Sequence, residues 1–269
     1  MNDFEFRKIT VTVNKYLELN LDFYKSNQMK RRLDGFMGRV GAGSVDEFCK
    51  LIATDTDVRE SVMNFLTINV TEFFRDARHF EVLRSNVLPE ILKKNPRPRI
   101  WSAGSSKGAE AYSVAMMIEE IAPGTKAQIT GTDIDARMIA VARDGGPFPD
   151  SEAKNISAAH RQKFMEQRDE GHFVKPEIRS KVTFKRQNLL TDRFDGNFDL
   201  IMCRNVVIYF TDAAKHDLNT RFSDSLKPGG ILFIGGTESI LNPTEFGFER
   251  DGAAFYRKEI VARPLRQAA

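Results

Sequence analysis

RIWSAGSSKGAEAYSVAMMIEEIA (residues 99–122) and AQITGTDID (residues 127–135) are the two stretches that decide the fold of this chain. RIWSAG is apolar and ends in small residues, which predicts a strand that runs into a turn. GAEAYSVAMMIEEIA predicts a helix, and AQITGTDID predicts a second strand. A strand, a helix and another strand in this order are typical of a unit whose two strands lie parallel in one sheet.

The alternation of strands and helices continues toward the end of the sequence. Further helices are predicted for ARMIAVARDG (136–145) and for about Asp212 to Leu226, and further strands for VTFKRQNLL (182–190), FDLIMCRNVVIYF (198–210) and ILFIGGTES (231–239). We therefore expect an α/β domain of the Rossmann-like class, with a parallel sheet and helices on both faces. Residues 145–180 are polar and charged without a clear period, which predicts an inserted subdomain.

The first third of the sequence is helical in pattern. In SNQMKRRLDGFMGRVG (residues 26–41) the apolar residues recur at helical spacing and form one stripe, which consists of Met29, Leu33, Phe36, Met37 and Val40. The segment KKNPRPR (residues 93–99) contains prolines and basic residues, and it is the predicted domain boundary. We therefore expect an N-terminal helical bundle over residues 1–95 and the α/β domain over residues 96–269.

The composition is that of a globular protein. There are 40 Lys and Arg residues against 37 Asp and Glu, the net charge is +3, and 41% of the residues are apolar. No window approaches the roughly 20 apolar residues that a membrane span needs. The beginning, MNDFEFRKIT, lacks the basic and apolar regions of a secretion signal. We therefore expect a cytoplasmic protein without membrane insertion.

Metal and nucleic-acid binding are not favoured by the sequence. Cys49 and Cys203 match no CxxC pattern and the histidines are scattered, so we expect free thiols and no metal site. Residues 23–43 contain five basic side chains against the single acid Asp34. A nucleic-acid-binding protein would spread its positive charge more widely, so this segment predicts a local docking face.

Four segments of the predicted sheet place polar or small residues where a strand ends. They are the turn from Ala103 to Gly108, which contains Gly104, and then Asp133, Asn188-Leu189 and Asn205-Val206. Ligands of open α/β sheets bind at this edge, where a carboxylate can accept hydrogen bonds from ribose hydroxyls and an asparagine can bind an adenine or amino-acid group. Each residue alone has a simpler interpretation as a turn residue or a helix cap. Together they favour a nucleoside-containing cofactor.

The kind of cofactor follows from what the turn lacks. It has no GxGxxG pattern, so nothing in the sequence is a good cradle for the pyrophosphate of a dinucleotide. S-adenosylmethionine carries no phosphate and needs a ribose carboxylate, an adenine slot and polar groups for its amino-acid end. The residues fit S-adenosylmethionine better than a nicotinamide dinucleotide.

Five segments resemble, in order and spacing, the chemotaxis receptor methyltransferases of the CheR family. They are LTINVTEFFRDARHF (66–80), RIWSAGSSKGAEAYS (99–113), ITGTDID (129–135), NLL (188–190) and FDLIMCRNVVIYF (198–210). The resemblance covers nearly the whole chain. It implies a cytoplasmic enzyme, recruited to chemoreceptor arrays, that transfers methyl from S-adenosylmethionine to glutamate side chains of bacterial chemoreceptors. The products would be glutamyl methyl esters and S-adenosylhomocysteine, for adaptation in chemotaxis.

The resemblance also assigns roles to individual residues. It places Asn69, Thr71, Arg75, Glu110, Asp133, Asn188, Leu189, Asn205 and Val206 at the cofactor. Methyl transfer to an ionised carboxylate needs no general base, so the absence of a Ser/His/Asp constellation does not argue against an enzyme. We expect Arg75 and Tyr209 to orient the substrate carboxylate or close the pocket.

Two further expectations concern the receptor. Lys25, Arg31, Arg32 and Arg39 lie on one arc of the predicted helix beside its apolar stripe, and we expect them to dock glutamate-rich receptor helices; a solvated charged face is the simpler alternative. In the CheR family the insert at residues 145–180 is a small β-subdomain, which in some members binds a C-terminal receptor pentapeptide as an added strand. The loop before His172 is shorter here, so we expect no such tether.

Other functions remain open at this stage. The family pattern reads roughly STGEEPYS where this chain has SKGAEAYS, so Lys107 and Ala109 keep open a non-catalytic S-adenosylmethionine-binding regulator of signalling. A nucleic-acid N-methyltransferase would typically carry an Asn/Asp-Pro-Pro-aromatic motif where this chain has Asn205-Val206-Val207. That class is therefore disfavoured.

Overall fold

The computed structural model describes residues 1–67 and 69–260, which form two units. The first unit consists of Met1–Val70 and Ile208–His216. The second consists of Thr71–Val207 and the residues from Asp217 onward. Among the described residues, no helix combines the length and the apolar character that crossing a membrane requires.

The division between the units differs from the expected boundary at residues 93–99. The structure divides the chain after Val70, because residues 77–94 form a helical segment that packs into the core of the second unit. Phe80 and Leu83 of this segment are buried in that core. The KKNPRPR segment is thus a connection within the second unit.

Within residues 1–67, the described N-terminal part of the first unit, there are four helices and a short 3-10 helix, Leu21–Phe23. The helices are α1 (Asp3–Leu17), α2 (Ser26–Arg39), α3 (Val45–Thr54) and α4 (Thr56–Thr67). α1 begins with a capping box, in which the Asn2 side chain accepts from the Glu5 N–H and the Glu5 side chain accepts from the Asn2 N–H. The predicted N-terminal helical bundle is confirmed.

The apolar stripe of α2 is largely as the spacing predicts. Met29, Leu33 and Phe36 are buried, whereas Met37 and Val40 are half-buried. α2 therefore packs one face into the unit and leaves the opposite face to solvent.

The second unit is built on a seven-stranded sheet of order β5-β2-β1-β6-β7-β9-β8. In chain order the strands of the unit are β1 (Arg99–Ala103), β2 (Gln128–Asp133), β3 (Met165–Arg168), β4 (Gly171–Val174), β5 (Val182–Arg186), β6 (Phe198–Cys203), β7 (Leu226–Ile234), β8 (Phe248–Arg250) and β9 (Phe255–Lys258). The five strands from β5 to β7 in this order are parallel, which confirms the α/β class.

The sheet is mixed rather than wholly parallel. β9 pairs antiparallel with β7, and β8 pairs antiparallel with β9. Arg257 of β9 makes a two-pronged ion pair with Glu90, with both nitrogen–oxygen distances 2.9 Å. This pair attaches the antiparallel edge to the helical segment 77–94.

The remaining helices of the described residues lie between residues 77 and 246. They are α5 (Ala77–Val82) and α6 (Leu88–Lys94), joined by a π-helical turn (Leu83–Val87), then α7 (Ala109–Ile121), α8 (Ala136–Asp144), α9 (Asp150–Ala153), α10 (Ala158–Phe164), α11 (Pro176–Arg179) and α12 (Asp212–Ser225), with 3-10 helices at Val207–Tyr209 and Pro243–Phe246. α7 is the central helix, since its residues from Ala111 to Ile118 are all buried. The insert at residues 145–180 contains the antiparallel hairpin of β3 and β4 and the short helices α9 to α11.

Candidate functional site

The candidate site lies at the carboxyl ends of the parallel strands of the second unit. β5, β2, β1, β6 and β7 are neighbours in this order, so the residues that follow them meet at one edge of the sheet. The sequence predicted Gly104, Asp133, Asn188 and Asn205 at this edge, and the topology brings them there. It also brings Glu238, which follows β7 and was not predicted.

Gly104 begins the turn after β1 and lies against the turn after β6. Its φ is +77°, and its N–H donates to the Thr132 carbonyl at 2.8 Å. A Cβ atom at this position would lie 2.5 Å from Cγ2 of Val206, so only glycine fits. The two predicted segments are therefore in direct contact.

Asp133 ends β2 and points its carboxylate into the turn after β1. Oδ2 accepts from the Ser106 N–H at 2.8 Å, and Oδ1 accepts from the Asp135 N–H at 3.0 Å. Burial raises the pKa of Asp133 to about 6, although these two donors oppose the shift. The residue that caps α8 is not Asp133 but Asp135, whose side chain accepts a hydrogen bond from the Arg137 N–H. Each Asp133 oxygen keeps acceptor capacity that suits a ribose hydroxyl.

Glu110 is held in the first turn of α7 by two partners. Oε1 accepts from the Ser102 hydroxyl at 2.8 Å, and Oε2 lies 3.3 Å from Nη1 of Arg204. Nη2 of Arg204 donates to the Arg75 carbonyl at 2.9 Å and to Asp76 Oδ2 at 2.5 Å. Only 2% of the Arg204 side chain is exposed. Arg204 therefore joins two predicted cofactor segments. The sequence feature that could have indicated this role is a basic residue directly after the apolar strand β6.

Asn188 and Leu189 form the turn after β5. Oδ1 of Asn188 accepts from the Leu190 N–H at 3.0 Å, and the Asn188 N–H donates to Asp192 Oδ2 at 2.8 Å. This Asx turn matches the simpler interpretation of Asn188 as a turn residue. The Leu189 side chain is buried, and its carbonyl accepts from Nη1 of Arg221 at 2.6 Å.

Three oxygen atoms in these loops are buried and have no hydrogen-bond partner within the described part of the chain. They are the Ser105 hydroxyl, Oδ1 of Asn205 and Oε1 of Glu238. Buried polar groups are normally paired, so atoms of this kind are suited to a ligand that brings its own donors. A nucleoside with an amino-acid end carries such donors, and the edge fits S-adenosylmethionine.

The predicted segment from Asn69 to Arg75 spans the division between the units. Asn69 belongs to the first unit, where its Nδ2 donates to Asn64 Oδ1 at 3.1 Å. Thr71 is buried at the beginning of the second unit, and Arg75 is half-buried there.

Tyr209 belongs to the first unit and is held by the beginning of α2. Its carbonyl accepts from the Lys25 N–H at 3.0 Å, and the Thr211 N–H donates to the Phe23 carbonyl at 2.8 Å. The guanidinium carbon of Arg32 lies 5.9 Å from the centre of the Tyr209 ring. The main chain that precedes α2 and the Arg32 side chain therefore hold the segment that carries this candidate catalytic tyrosine.

The four predicted docking residues do not share one environment. Lys25, Arg31 and Arg39 are exposed. Arg32 is half-buried, donates to the Phe65 carbonyl and lies over the Phe65 ring at 4.8 Å. Burial lowers the pKa of Arg32 below its ordinary value. The expected arc of four solvent-facing charges is therefore an arc of three, because Arg32 packs within its own unit.

Within residues 1–67 and 69–260, no group of three or more His, Cys, Asp or Glu residues could hold a metal ion. Cys49 is half-buried, Cys203 is buried, and both are free thiols. Burial raises the pKa of Cys203 well above its ordinary value, which disfavours the thiolate form.

Comparison with known proteins gives matches along nearly the whole chain. The family model for the CheR methyltransferase all-alpha domain matches residues 5–67, and the model for the CheR methyltransferase SAM binding domain matches residues 69–253. The two models meet beside the structural division after Val70.

Three curated relatives that match this chain over most of its length are named chemotaxis protein methyltransferases. A chemotaxis protein methyltransferase of Listeria innocua is 35% identical over 255 residues, which cover 94% of this chain and 97% of that protein. Chemotaxis protein methyltransferase 1 of Pseudomonas aeruginosa is 36% identical over 249 residues, covering 88% of this chain and 91% of that protein. Chemotaxis protein methyltransferase 1 of Vibrio cholerae is 33% identical over 255 residues, which cover 91% of this chain and 92% of that protein.

Proposed function

The chain belongs to the CheR family of S-adenosylmethionine-dependent methyltransferases, and from this premise we propose that it methylates glutamate side chains of bacterial chemoreceptors. The products are glutamyl methyl esters and S-adenosylhomocysteine, and the reaction serves adaptation in chemotaxis. The observation that carries the proposal is the buried carboxylate of Asp133 beside the Gly104 turn, at the sheet edge within the matched SAM-binding domain.

The proposed cofactor-binding residues are those that the sequence assigns from the strand ends and from the family resemblance. They are Asn69, Thr71, Arg75, Gly104, Glu110, Asp133, Asn188, Leu189, Asn205 and Val206. When bound, S-adenosylmethionine supplies a methyl group on a positively charged sulfur. Asp133 would accept hydrogen bonds from the ribose hydroxyls. Oδ1 of Asn205, which has no partner among the described residues, would accept a hydrogen bond from a donor of the cofactor.

The protein's task in the reaction is positioning. A glutamate side chain is ionised near neutral pH because its pKa is about 4.3, so no residue has to remove a proton. Arg75 and Tyr209 orient the substrate carboxylate and exclude water, an effect worth up to about 7 to 11 kcal/mol in favourable cases. A tight ion pair with Arg75 would also stabilise the nucleophile, so orientation rather than charge is its main contribution.

The receptor is engaged through its methylation helices. Lys25, Arg31 and Arg39 are exposed on α2 and give a basic surface that complements glutamate-rich helices. Binding there recruits the enzyme to chemoreceptor arrays. The insert does not tether a C-terminal receptor peptide, because its edge strand β3 is short and bears charged side chains.

A methyl-transfer assay tests the proposed function. The protein is incubated with methyl-labelled S-adenosylmethionine and membranes that contain a chemoreceptor, and the label is expected in receptor protein and released as methanol by mild base. A non-catalytic regulator would bind S-adenosylhomocysteine in calorimetry but leave the receptor unlabelled. Base-stable label would contradict ester formation, because methyl groups on nitrogen or sulfur are not released by mild base.

A further inference from the structure

Glu238 lies in the loop that follows β7 and binds the main chain of two neighbouring strand ends. Its Oε2 accepts from the Asn205 N–H at 2.9 Å and from the Gly235 N–H at 2.6 Å. Cys203 of β6 and Ile234 of β7 are register partners, so both donors lie just beyond the ends of adjacent parallel strands. One buried carboxylate oxygen therefore links the two ends.

The conformation of Asn205 explains why such a link is needed. Its φ is +59°, a left-handed conformation that asparagine adopts more readily than most residues but that still costs free energy relative to the right-handed region. A residue keeps such a conformation only where its surroundings hold it. The hydrogen bond from the Asn205 N–H to Glu238 is a contact of this kind.

Gly235 shows how closely the carboxylate packs against the main chain. A Cβ atom at Gly235 would lie 2.5 Å from Oε2 of Glu238 and 3.1 Å from the Asn205 nitrogen. Any larger residue at position 235 would have to displace the Glu238 side chain. Glu238 therefore supplies the acceptor, and the missing side chain at Gly235 leaves the space that the acceptor occupies.

The linked turn forms part of the proposed cofactor site. Val206 follows Asn205 and lies against Gly104, where a Cβ atom would meet Cγ2 of Val206 at 2.5 Å. Movement of the Asn205-Val206 turn would therefore change the shape of the Gly104 turn. Oδ1 of Asn205 is also one of the buried atoms without a partner in the described residues, so its direction matters for a ligand.

We propose that Glu238 is a positioning residue that fixes the Asn205-Val206 turn for cofactor binding. The proposal rests on the proposed function, because it takes Asn205 and Val206 as cofactor-binding residues. Two main-chain N–H groups require an acceptor rather than a charge, so a neutral amide oxygen of the same reach can replace the carboxylate. Burial raises the pKa of Glu238 above its ordinary value, in agreement with a site that does not favour the charged form.

Three variants test this role. Glu238→Ala removes the acceptor, Glu238→Gln keeps an oxygen at the same reach, and Glu249→Gln changes an exposed glutamate on β8 as the matched control. We expect Glu238→Ala to raise the Kd for S-adenosylhomocysteine at least about tenfold, as measured by calorimetry. Glu238→Gln should raise the Kd less than Glu238→Ala, because it keeps an acceptor for both N–H groups, and the control should stay within about twofold of the unmodified protein. At saturating cofactor, kcat and the KM for receptor should change little, which a general loss of structure would not produce.

A second measurement does not depend on the cofactor. Amide hydrogen exchange at Asn205 in the cofactor-free protein should be faster in Glu238→Ala and unchanged in Glu238→Gln. If Glu238→Ala does not fold, Glu238→Asp replaces it, because its shorter side chain withdraws the carboxylate from both N–H groups. Unchanged exchange at Asn205 together with unchanged affinity in a folded variant would overturn the proposal. Failure of the unmodified protein to bind S-adenosylhomocysteine would instead contradict the proposed function, and the exchange measurement would still decide the role of Glu238.

Discussion

Nζ of Lys107, in the turn after β1, lies 2.6 Å from Oε1 of Glu152 in α9, and both side chains are only 17% exposed. The main-chain carbonyl of Glu152 also accepts from the Phe73 N–H at 3.0 Å. Glu152 therefore connects the insert with two segments assigned to the cofactor site. Lys107 departs from the CheR pattern, and its charge is balanced by this acid.

Replacing Lys107 by methionine should destabilise the protein in a pH-dependent manner. Burial raises the pKa of Glu152 even with Lys107 present, and removal of the cation would raise it further. The loss of unfolding free energy, about 1 to 3 kcal/mol, should be larger at pH 8 than at pH 5, because protonation at lower pH removes the unpaired charge. Chemical denaturation at both pH values measures it.

The exposed ion pair between Lys154 and Glu72 is the matched control. Its side chains are 56% and 25% exposed, so Lys154→Met should cost less than about 1 kcal/mol at either pH. Combining Lys107→Met with Glu152→Gln should recover part of the lost stability. An equal loss at pH 5 and pH 8 would contradict the role assigned to the Lys107 charge.

Gly104 and Gly124 allow backbone strain to be separated from steric contact. Both have positive φ, +77° and +81°, but a Cβ atom would meet Val206 at Gly104 and nothing within 4 Å at Gly124. Gly124→Ala should cost about 1 kcal/mol of stability and leave affinity for S-adenosylhomocysteine unchanged. Gly104→Ala should cost more and raise the Kd about tenfold or more. Equal effects of the two substitutions on Kd would remove Gly104 from the cofactor site.

Binding of S-adenosylhomocysteine should weaken in mild acid because of Asp133. Its pKa is raised to about 6 by burial, and the ionised form is the better acceptor for ribose hydroxyls. Affinity should therefore be constant well above pH 6 and fall as the pH drops below it, by up to tenfold per unit for one proton. Calorimetry between pH 5 and pH 8 measures this, and Asp133→Asn should bind weakly with a flat profile. A flat profile in the unmodified protein would exclude Asp133 as the ribose acceptor.

The strands and helices around Gly104 were predictable because each has a strong local pattern. β1, α7 and β2 follow directly from the quoted apolar runs and their turns. β8 and β9 were missed, since they have only three and four residues and pair through contacts that are distant in sequence. The packing of residues 77–94 in the second unit is likewise a tertiary property.

The candidate site shows the same limit. Gly104, Asp133 and Asn205 were predicted because each follows a buried strand. Glu238 was not, because its role depends on β6 and β7 being neighbours with Cys203 beside Ile234. Local spacing also placed Arg32 among the exposed bases, whereas Phe65, from another helix, covers it.

Charge reversal on α2 should separate receptor docking from folding. Arg31 and Arg39 are exposed, so Arg31→Glu with Arg39→Glu should raise the KM for receptor severalfold and weaken its salt dependence, with kcat and stability nearly unchanged. Arg32→Glu should instead lower the melting temperature, because it loses the hydrogen bond to the Phe65 carbonyl. Arg7→Glu, an exposed base on α1, is the control. If the double variant matches Arg7→Glu in KM, the docking face is elsewhere.

The isolated C-terminal peptide of a chemoreceptor should not bind this protein. A tether of that kind adds a strand to an open edge, and in the β3–β4 hairpin the outer side of β4 is already occupied by Phe148, which exchanges hydrogen bonds of 2.8 and 2.9 Å with His172. β3 has four residues, and Glu166 and Arg168 pair with each other along it. Short edges with charged side chains resist strand addition.

Calorimetric titration of that peptide, with competition against receptor methylation, measures this directly, and no heat and no competition are expected. If the peptide does bind, the structure offers a place for it. A cavity of about 470 Å³ lies beside β3 and is lined in part by Arg161, Gln167 and His172. Micromolar binding that competes with methylation would overturn the prediction. Loss of that binding in Arg161→Ala, with an exposed basic residue such as Arg7 changed to alanine as the control, would locate the peptide in this cavity. In that case the insert would raise the local enzyme concentration at the receptor, and docking through α2 alone would be insufficient.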